Sequence, residues 1–515
     1  MSNLLDRASI VLTPTAYNNG EALCVKPDDA SGDFQFSRNS AATRVNSQGL
    51  VEDVQIIFGD KVTNGNFSNG STDWILNAWT VANGKASLDG STGSFLQQNG
   101  ILVSGKTYKV QYTVSDYVSG NVRFRANGVN GSTNVSNGVV SDLITVNSTF
   151  LSIQGFNGFE GSISNISAIE TINDTNLPRI NYDGFSFDGS GDIISGSGCG
   201  SWLWENQSTN LITYSENFNQ WANLGGRSTV TLNSIISPDG TINGTKQTQI
   251  VANSSVRLRF SSILTIGTEY TFSVFAKKGN HDKLIMNISG VSTNFTLTDN
   301  WVRYEITATA PNNTFVDVGI SQGSIGDFIY LWGAQAEEQS FATSYIPTFG
   351  TSVTRNQDLC TNGGSVSTIN STEGVLYAQV SALTNENVQR TLSLSDGTQS
   401  NVVILGFSNS TTDYRFFANV RLGNVNQAFL TFNFGAVAPT FKKVAVKYKQ
   451  NDFALWIDGV EVATDTSGNT FSANTLNELN FTRGADPQKF FGKTKALAVW
   501  KEALTDLELQ KLTTI

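Results

Sequence analysis

The sequence predicts an all-β, multidomain protein made of antiparallel β-sandwiches, with one short helix at the C-terminus. Its 47 glycines among 515 residues, with abundant Asn, Ser and Thr, are typical of short strands joined by frequent turns. Apolar residues alternate with polar ones between Asn-Gly pairs, as in antiparallel hairpins. Aromatic residues make up 10% of the chain and include 32 Phe, which is enough apolar bulk for several sandwich cores.

Length and charge limit the classes of function. A chain of 515 residues is expected to hold three or four domains. The net charge of −10 and the lack of a Lys/Arg run exclude nucleic-acid binding as a main role, because phosphate recognition needs a basic surface. The sequence contains no apolar stretch of 18 residues, so no membrane-spanning helix is predicted. The first 13 residues lack the basic and apolar regions of a secretory signal.

Two regions of the chain repeat one pattern. Gly105 is followed by Tyr108 and alternating apolar residues, and Gly267 is followed by Tyr270 in the same way. An Asn-Phe pair and a tryptophan precede each copy, at Asn66, Phe67 and Trp74 and at Asn217, Phe218 and Trp221. A repeat at domain length predicts two copies of one sandwich module, over residues 58–175 and 207–358.

A linker-like stretch at 361–368 precedes a different strand pattern, which predicts a further sandwich over residues 369–515. The Asp458-Gly459 pair predicts a tight hairpin turn inside it. Near the end, Thr505 lies three residues before Glu508, which is the spacing of a helix capping box. This is the short C-terminal helix of the predicted fold.

Four longer motifs resemble one protein family. They occupy residues 33–53, 205–218, 326–356 and 497–513. Together they are similar to a family of tailed-bacteriophage virion proteins with carbohydrate-binding-type jelly rolls and a C-terminal concanavalin-like (laminin-G-type) domain. The resemblance implies that the two repeated modules are jelly rolls and that the final sandwich is concanavalin-like.

The resemblance also implies an insertion. Family members often run directly from a strand like residues 45–52 into a strand like residues 178–182, whereas here a whole module separates the two. We therefore expect residues 1–57 plus 176–206 to form a discontinuous, virion-anchoring N-terminal β-module, with the jelly roll of 58–175 inserted into it. Insertions at exposed turns with neighbouring ends are readily accommodated.

The sequence offers little catalytic chemistry, and we predict no enzyme and no catalytic residues. The single histidine, His281, lies in a charged turn, as expected of a solvated loop residue. Concanavalin-like glucanases carry paired carboxylates on one strand, and the nearest approach here is Glu502, Asp506 and Glu508 on the predicted helix. The three cysteines, Cys24, Cys199 and Cys360, have no metal or redox spacing.

Sugar binding needs flat aromatic rings with polar partners, because pyranose faces stack on rings while hydroxyls form hydrogen bonds. The carbohydrate-binding candidates are Trp74, Trp79, Tyr117, Trp202 and Trp221, with Trp204 and Trp301 as further tryptophans of the same kind. No cofactor is predicted. A structural calcium ion is compatible with the turns that contain Asp183, Asp188 and Asp192, and the metal content is left open.

We interpret the chain as a structural protein of a phage virion, an exposed fibre, spike or capsid-decorating protein that contacts host-surface glycans. Its expected partners are other capsid or tail proteins and two further copies in a homotrimer, with no nucleic acid and no membrane insertion. Its expected location is the virion, assembled in the host cytoplasm and released by lysis. The alternatives are a free bacterial carbohydrate-binding or adhesin protein and a polysaccharide depolymerase.

Overall fold

The computed structural model describes residues 2–54, 56–91, 94–172, 175–182, 186–187, 193–194, 200–252, 255–261, 263–311, 314–383, 389–408, 413–435, 440–484 and 489–514. The predicted all-β class is confirmed, since the described chain is mostly antiparallel strand. It forms two compact units, one of residues 1–54, 175–232 and 245–515 and one of residues 55–174 with 233–244. None of the described helices is both long and apolar enough to cross a lipid bilayer.

The unit of residues 55–174 contains the first sandwich. Two long strands, Thr107–Ala126 and Leu151–Ile172, pair along most of their length, with register shifts between Gln111 and Thr113 and between Ser115 and Asn121. Core residues lie on both sides of these shifts, among them Tyr108, Val110, Val122 and Phe124. The remaining strands of this sheet are Ile56–Asp60, Ile75–Leu76, Thr80–Ala82, Lys85–Asp89, Ser94–Gln98, Val129–Asn130 and Gly138–Thr145.

The second sandwich belongs to the other unit and has two five-stranded sheets. One contains, in spatial order, Ala222–Asn223, Ser255–Phe260, Val316–Ser321, Lys283–Ile288 and Val291–Thr296. The other contains Ser228–Ile235, Gly244–Gln249, Phe328–Glu337, Glu269–Lys278 and Val302–Thr309. A core that includes Phe272, Met286 and Leu331 lies between them. Ser208–Asn210 pairs with Val353–Arg355 where the chain enters and leaves this sandwich, and two short 3-10 helices, Phe218–Gln220 and Leu224–Gly226, follow the entry.

The C-terminal sandwich packs two further sheets on one large core. One sheet contains Ile180–Asn181, Ser201–Trp204, Gly492–Trp500, Glu373–Ala382, Lys442–Lys449, Phe453–Ile457 and Val460–Asp465, and Ile10–Leu12 also pairs with Gly492–Trp500. The other contains Val425–Asn433, Arg415–Leu422, Val402–Phe407, Arg390–Ser395 and Glu478–Asn480.

The N-terminal segment contributes strands to this C-terminal sandwich. Ile10–Leu12 and Ser201–Trp204 both pair with Gly492–Trp500, so they satisfy backbone groups that would otherwise form an open edge. Phe34–Ser37 pairs with Leu359–Thr361, next to the stretch expected to be a linker. Residues placed in a separate N-terminal module by sequence therefore complete sheets of later segments, and the four-module boundaries themselves stay a prediction.

The other N-terminal strands are short. Tyr17–Asn18 and Glu21–Ala22 form a hairpin beside Phe34–Ser37, and Thr43–Val45 pairs with Val51–Asp53. Ser186–Phe187 pairs with Ile193–Ile194. A six-residue helix, Ser2–Arg7, begins the chain and was not predicted, because so short a segment carries no periodic signal.

The repeated sequence pattern produces the same contacts twice. The Tyr108 hydroxyl accepts the Val103 N–H at 2.9 Å, and the Tyr270 hydroxyl accepts the Thr265 N–H at 3.0 Å. In each case the acceptor closes the turn whose glycine has a positive φ, and both rings are buried. The two modules thus share this hydrogen bond to a buried tyrosine as well as the sequence pattern.

The predicted C-terminal features are confirmed. Ile457 pairs with Val460 across a two-residue turn in which Asp458 and Gly459 have φ values of 48° and 83°, as a type I′ hairpin requires. The helix Asp506–Thr513 begins with a capping box: Glu508 N–H donates to the Thr505 hydroxyl, and Thr505 N–H donates to the Glu508 carboxylate at 2.9 Å.

Candidate ligand-binding site

The aromatic residues predicted to bind sugar lie mostly in the sandwich cores. Trp74, Trp79, Trp202 and Trp221 are at most 7% exposed. Trp74 and Trp221 also donate their indole N–H to backbone carbonyls at 3.0 Å. Tyr117 is half-buried, and its hydroxyl donates to the Gly120 carbonyl. None of the four tryptophans lines the cavity described below, so the candidate site is built from other residues.

The sequence motifs instead supply a buried ionic cluster. Arg38, Arg179, Glu205 and Arg355 each come from a different stretch of the chain, and Asp358 follows the last of them. All five residues are at most 3% exposed. We call these five residues the buried ionic cluster.

Arg179 lies at the centre of the cluster. Its Nη1 donates to Glu205 Oε2 at 2.6 Å and its Nη2 to the Asp358 carboxylate. Arg38 Nη1 reaches the other oxygen of Asp358 at 3.2 Å, and Arg355 Nη2 lies 3.5 Å from Glu205 Oε2. The Glu205 backbone N–H donates to Asp358 at 2.8 Å. The cluster therefore ties together four segments of the chain.

The cluster keeps Glu205 ionised. Burial alone would raise the pKa of its carboxyl, but the charges of Arg355 and Arg179 and a hydrogen bond from the Ser344 hydroxyl lower that pKa to about 2. Burial lowers the pKa of Arg38 to about 10, partly offset by Asp358. The carboxylate thus has its charge balanced by arginines and its oxygens occupied by donors.

A cavity of about 540 Å³ opens beside this cluster, and we call it the Arg303 cavity. Its aromatic lining is Phe275, Trp301 and Tyr345, each of which is at most 5% exposed, so that only a small part of each ring faces the cavity. Its charged and polar lining includes Arg44, Thr43, Asn181, Glu205, Arg303, Thr343, Ser344 and Lys493. The size suits a sugar residue or another small ligand, and aromatic walls with a few convergent polar groups are typical of such sites.

Residues from two strands and one loop form this side of the Arg303 cavity and hold it in place. Arg303 lies on the strand Val302–Thr309, beside the strand Glu269–Lys278 that carries Phe275. The Tyr345 ring packs edge-on to Phe275 with ring centroids 6.4 Å apart. Ser344 donates its backbone N–H to Glu205 Oε1 at 2.8 Å and its hydroxyl to Oε2 at 2.7 Å. The buried ionic cluster therefore fixes the loop that forms one side of the cavity.

Arg303 differs from the arginines around it. Arg44 pairs with Glu52 at 2.9 Å, and the arginines of the buried ionic cluster also face carboxylates. Arg303 has no ion-pair partner within the part of the chain that the structure describes. Its Nη1 donates to the Thr343 carbonyl at 2.6 Å and its Nη2 to the Ser273 hydroxyl at 3.0 Å. Its Nε is buried and, like the Nε atoms of Arg179 and Arg355, has no hydrogen-bond acceptor among the described residues.

Burial lowers the pKa of Arg303, and the more distant charges of Glu337 and Glu305 partly offset that effect. The guanidinium stays a cation at neutral pH, because an arginine side chain remains protonated in proteins. The wall of the cavity thus carries a positive charge that is not neutralised by a direct contact.

The residues considered for catalysis do not meet here. His281 Nδ1 lies 3.2 Å from Asp327 Oδ2 and its Nε2 lies 2.8 Å from the Ser321 carbonyl. Glu502 and Glu508 both contact Arg7 on the surface. Glu205 is the one carboxylate among the described residues that line the Arg303 cavity.

The structure tests the predictions about metal binding and the cysteines only for the described residues. Within the described ranges, no three His, Cys, Asp or Glu side chains come together as a metal site. Asp183, Asp188, Asp192 and Cys199 lie outside the described residues. Cys24 and Cys360 are free thiols whose pKa values are raised by burial.

Sequence reasoning named only Trp301 among the aromatic residues of this cavity and missed Arg303. Nothing in the local sequence distinguishes Arg303 from other strand arginines, because its neighbours Thr343 and Tyr345 come from a loop about 40 positions later. The sequence signal for this cavity was the concentration of motif residues around 339–349. It indicated the loop, but it did not indicate the strand that carries Arg303.

Comparisons with known proteins found no matching protein-family model and no matching curated protein. Among solved structures, the CBM40 module of Ruminococcus gnavus IT-sialidase bound to α2,3-sialyllactose is 20% identical with a TM-score of 0.23, over 28% of this chain and 83% of that one. The CBM22 tandem of Paenibacillus barcinonensis Xyn10C is 9% identical with a TM-score of 0.20, over 55% and 98% of the two chains. Trypanosoma rangeli sialidase is 11% identical with a TM-score of 0.22, over 93% and 97%. Likenesses this weak carry no conclusion about function.

Proposed function

We propose that this protein is a non-catalytic glycan-binding protein and that the Arg303 cavity is its binding site. The observation that carries the proposal is the combination in one cavity of the rings of Phe275, Trp301 and Tyr345 with hydroxyl, amide and guanidinium groups. Sugars are recognised by this combination, because their C–H faces stack on aromatic rings while their hydroxyls exchange hydrogen bonds.

The chemistry of Glu205 supports binding without catalysis. Glycosidases use two carboxyl groups, one of which must carry a proton at the working pH. Glu205 has a pKa of about 2, so it holds no proton to donate near neutrality and is a weak base. Its oxygens are also occupied by Arg179 and Ser344.

Blocking the cavity tests the proposal. Ala342 is a half-buried lining residue, so Ala342→Trp fills the cavity without removing any core side chain. Ala82, an exposed residue of the first sandwich, provides the matched control Ala82→Trp. On a glycan array we expect the wild type and the control to bind the same glycans and Ala342→Trp to lose at least about tenfold in affinity.

Two outcomes contradict this function. Equal binding by Ala342→Trp and the wild type, with unchanged circular dichroism, places the glycan site elsewhere. Release of reducing ends from a bound polysaccharide, abolished by substitution of one carboxylate, shows an enzyme.

The biological setting that we propose is the surface of a phage particle, as an exposed fibre, spike or capsid-decorating protein. This rests on the similarity of the four motifs to virion proteins, and a homotrimer would repeat a weak sugar site and raise its avidity. Mass spectrometry of purified particles and light scattering of the isolated protein test these two points. Absence from particles, with glycan binding intact, favours the free bacterial carbohydrate-binding protein.

A further inference from the structure

Arg303 is a cation beside the cavity with no carboxylate in direct contact among the described residues. The charges of Glu337 and Glu305 act on it from further away, and its guanidinium lies over the Phe275 ring at 5.5 Å. Two of the five N–H groups of a guanidinium are used, by the Thr343 carbonyl and the Ser273 hydroxyl. The buried Nε–H has no acceptor among the described residues. A half-buried charge without a counter-ion is costly, and folded proteins usually pair such charges or use them to bind ligands.

The other charges of the cavity favour the same sign of ligand. Lys493 and Arg44 also line it; Arg44 pairs with Glu52 at 2.9 Å, just as the Glu205 carboxylate is paired with Arg179 and Arg355. The described lining therefore carries three cationic side chains and one carboxylate, although the protein as a whole has a net charge of −10. A local excess of positive charge on an acidic protein is not a consequence of its composition.

We infer that the Arg303 cavity selects a saccharide that carries a carboxylate, such as a uronic or sialic acid residue, and that Arg303 determines this selectivity. This inference rests on the proposed glycan-binding function. A guanidinium matches a carboxylate because both are planar and can form two parallel hydrogen bonds. The parts of Phe275, Trp301 and Tyr345 that face the cavity supply apolar contacts for the sugar ring.

The test compares matched pairs of ligands. Oligosaccharides containing uronic or sialic acid are each paired with their carboxyl-reduced form, which keeps the ring and loses the charge. Affinity for both members is measured by calorimetry on the full-length wild type and on three variants. Arg303→Met removes the charge, Arg303→Lys keeps the charge without the planar fork, and Arg415→Met removes an exposed arginine outside the cavity.

We expect the wild type and Arg415→Met to prefer the carboxylated member of one or more pairs by about tenfold or more. Arg303→Met should weaken binding of that member roughly 10- to 100-fold, the effect of losing a hydrogen-bonded charge, and leave binding of the reduced member unchanged. Arg303→Lys should retain part of the preference. If thermal unfolding shows that Arg303→Met does not fold, Arg303→Lys tests the inference in its place.

Failure of the inference and failure of the proposed function give different experimental results. Equal affinity of the wild type for both members of every pair overturns the inference and leaves the proposed function standing. A native Arg303→Met that loses both members equally assigns Arg303 a purely structural role and also overturns it. A wild type that binds no glycan on the array or in solution overturns the proposed function itself.

Discussion

Replacing Glu205 with Gln tests whether the buried ionic cluster depends on a charged carboxylate. Gln has the shape of Glu and mimics its protonated form, so the substitution removes the charge with little change in packing. A reduction of the Glu205 pKa from 4.5 to about 2 corresponds to about 3 kcal/mol of stability at neutral pH. This stability is fully present above about pH 5 and is lost as the pH falls through 2, since the folded protein has the lower pKa.

We therefore expect Glu205→Gln to be less stable than the wild type by about 3 kcal/mol at pH 7, and almost equal to it in stability at pH 2. Urea unfolding is measured at several pH values, with hydrogen exchange in peptides around residues 201–210 as the readout. These peptides report on this part of the chain separately from the other compact unit. The control Glu461→Gln removes an exposed carboxylate of the C-terminal sandwich and should have almost no effect.

A difference between wild type and Glu205→Gln that stays constant from pH 7 to pH 2 would refute this reasoning. It would mean that the Glu205 pKa is the same in the folded and the unfolded protein, so that the contacts of Arg179 and Arg355 only offset the effect of burial. A wild type that instead gains stability relative to Glu205→Gln as the pH falls would have a raised Glu205 pKa, and a carboxyl that is protonated near neutrality can act as a general acid.

Three further substitutions test local features of the fold. Tyr270→Phe removes the acceptor of the Thr265 N–H and should lower stability by about 1 kcal/mol, visible as a lower melting temperature in calorimetry. Thr505→Ala removes the cap that accepts the Glu508 N–H, and the resulting loss of about 1 kcal/mol should appear as faster hydrogen exchange confined to the last helix. Gly459→Ala places a side chain on a backbone with φ of 83° and should cost about 1 kcal/mol or more in urea unfolding; an unchanged midpoint would contradict the type I′ turn.

Local sequence signals predicted local structure well. The alternation around Tyr108 and Tyr270, the Asp458-Gly459 turn and the Thr505 capping box all formed as expected. Each depends on residues a few positions apart, and the backbone conformation of such a segment follows from its own side chains. The all-β class follows in turn, because alternation and turn residues persist along the whole chain.

Sequence reasoning was less informative about individual tryptophans. An aromatic residue in a strand suits both a core and a sugar-binding surface, and only the packing of the sheets decides between them. Trp202 stacks on Trp204 inside the C-terminal sandwich with ring centroids 5.7 Å apart, whereas Trp301 lines the Arg303 cavity. The sequence contexts of these residues did not separate the two roles.

The amino-acid sequence by itself determined the all-β class, the internal duplication and the turn and cap chemistry, since these depend on short-range patterns of side chains. Only the tertiary structure decided which segments share a sheet. It joined Ile10–Leu12 to Gly492–Trp500 and brought Arg38, Arg179 and Asp358 into one ionic cluster. It also placed Arg303 beside a cavity with no carboxylate in direct contact among the described residues. These pairings link residues that are tens to hundreds of positions apart, and they arise because buried backbone and charged groups must find partners wherever the folded chain places them.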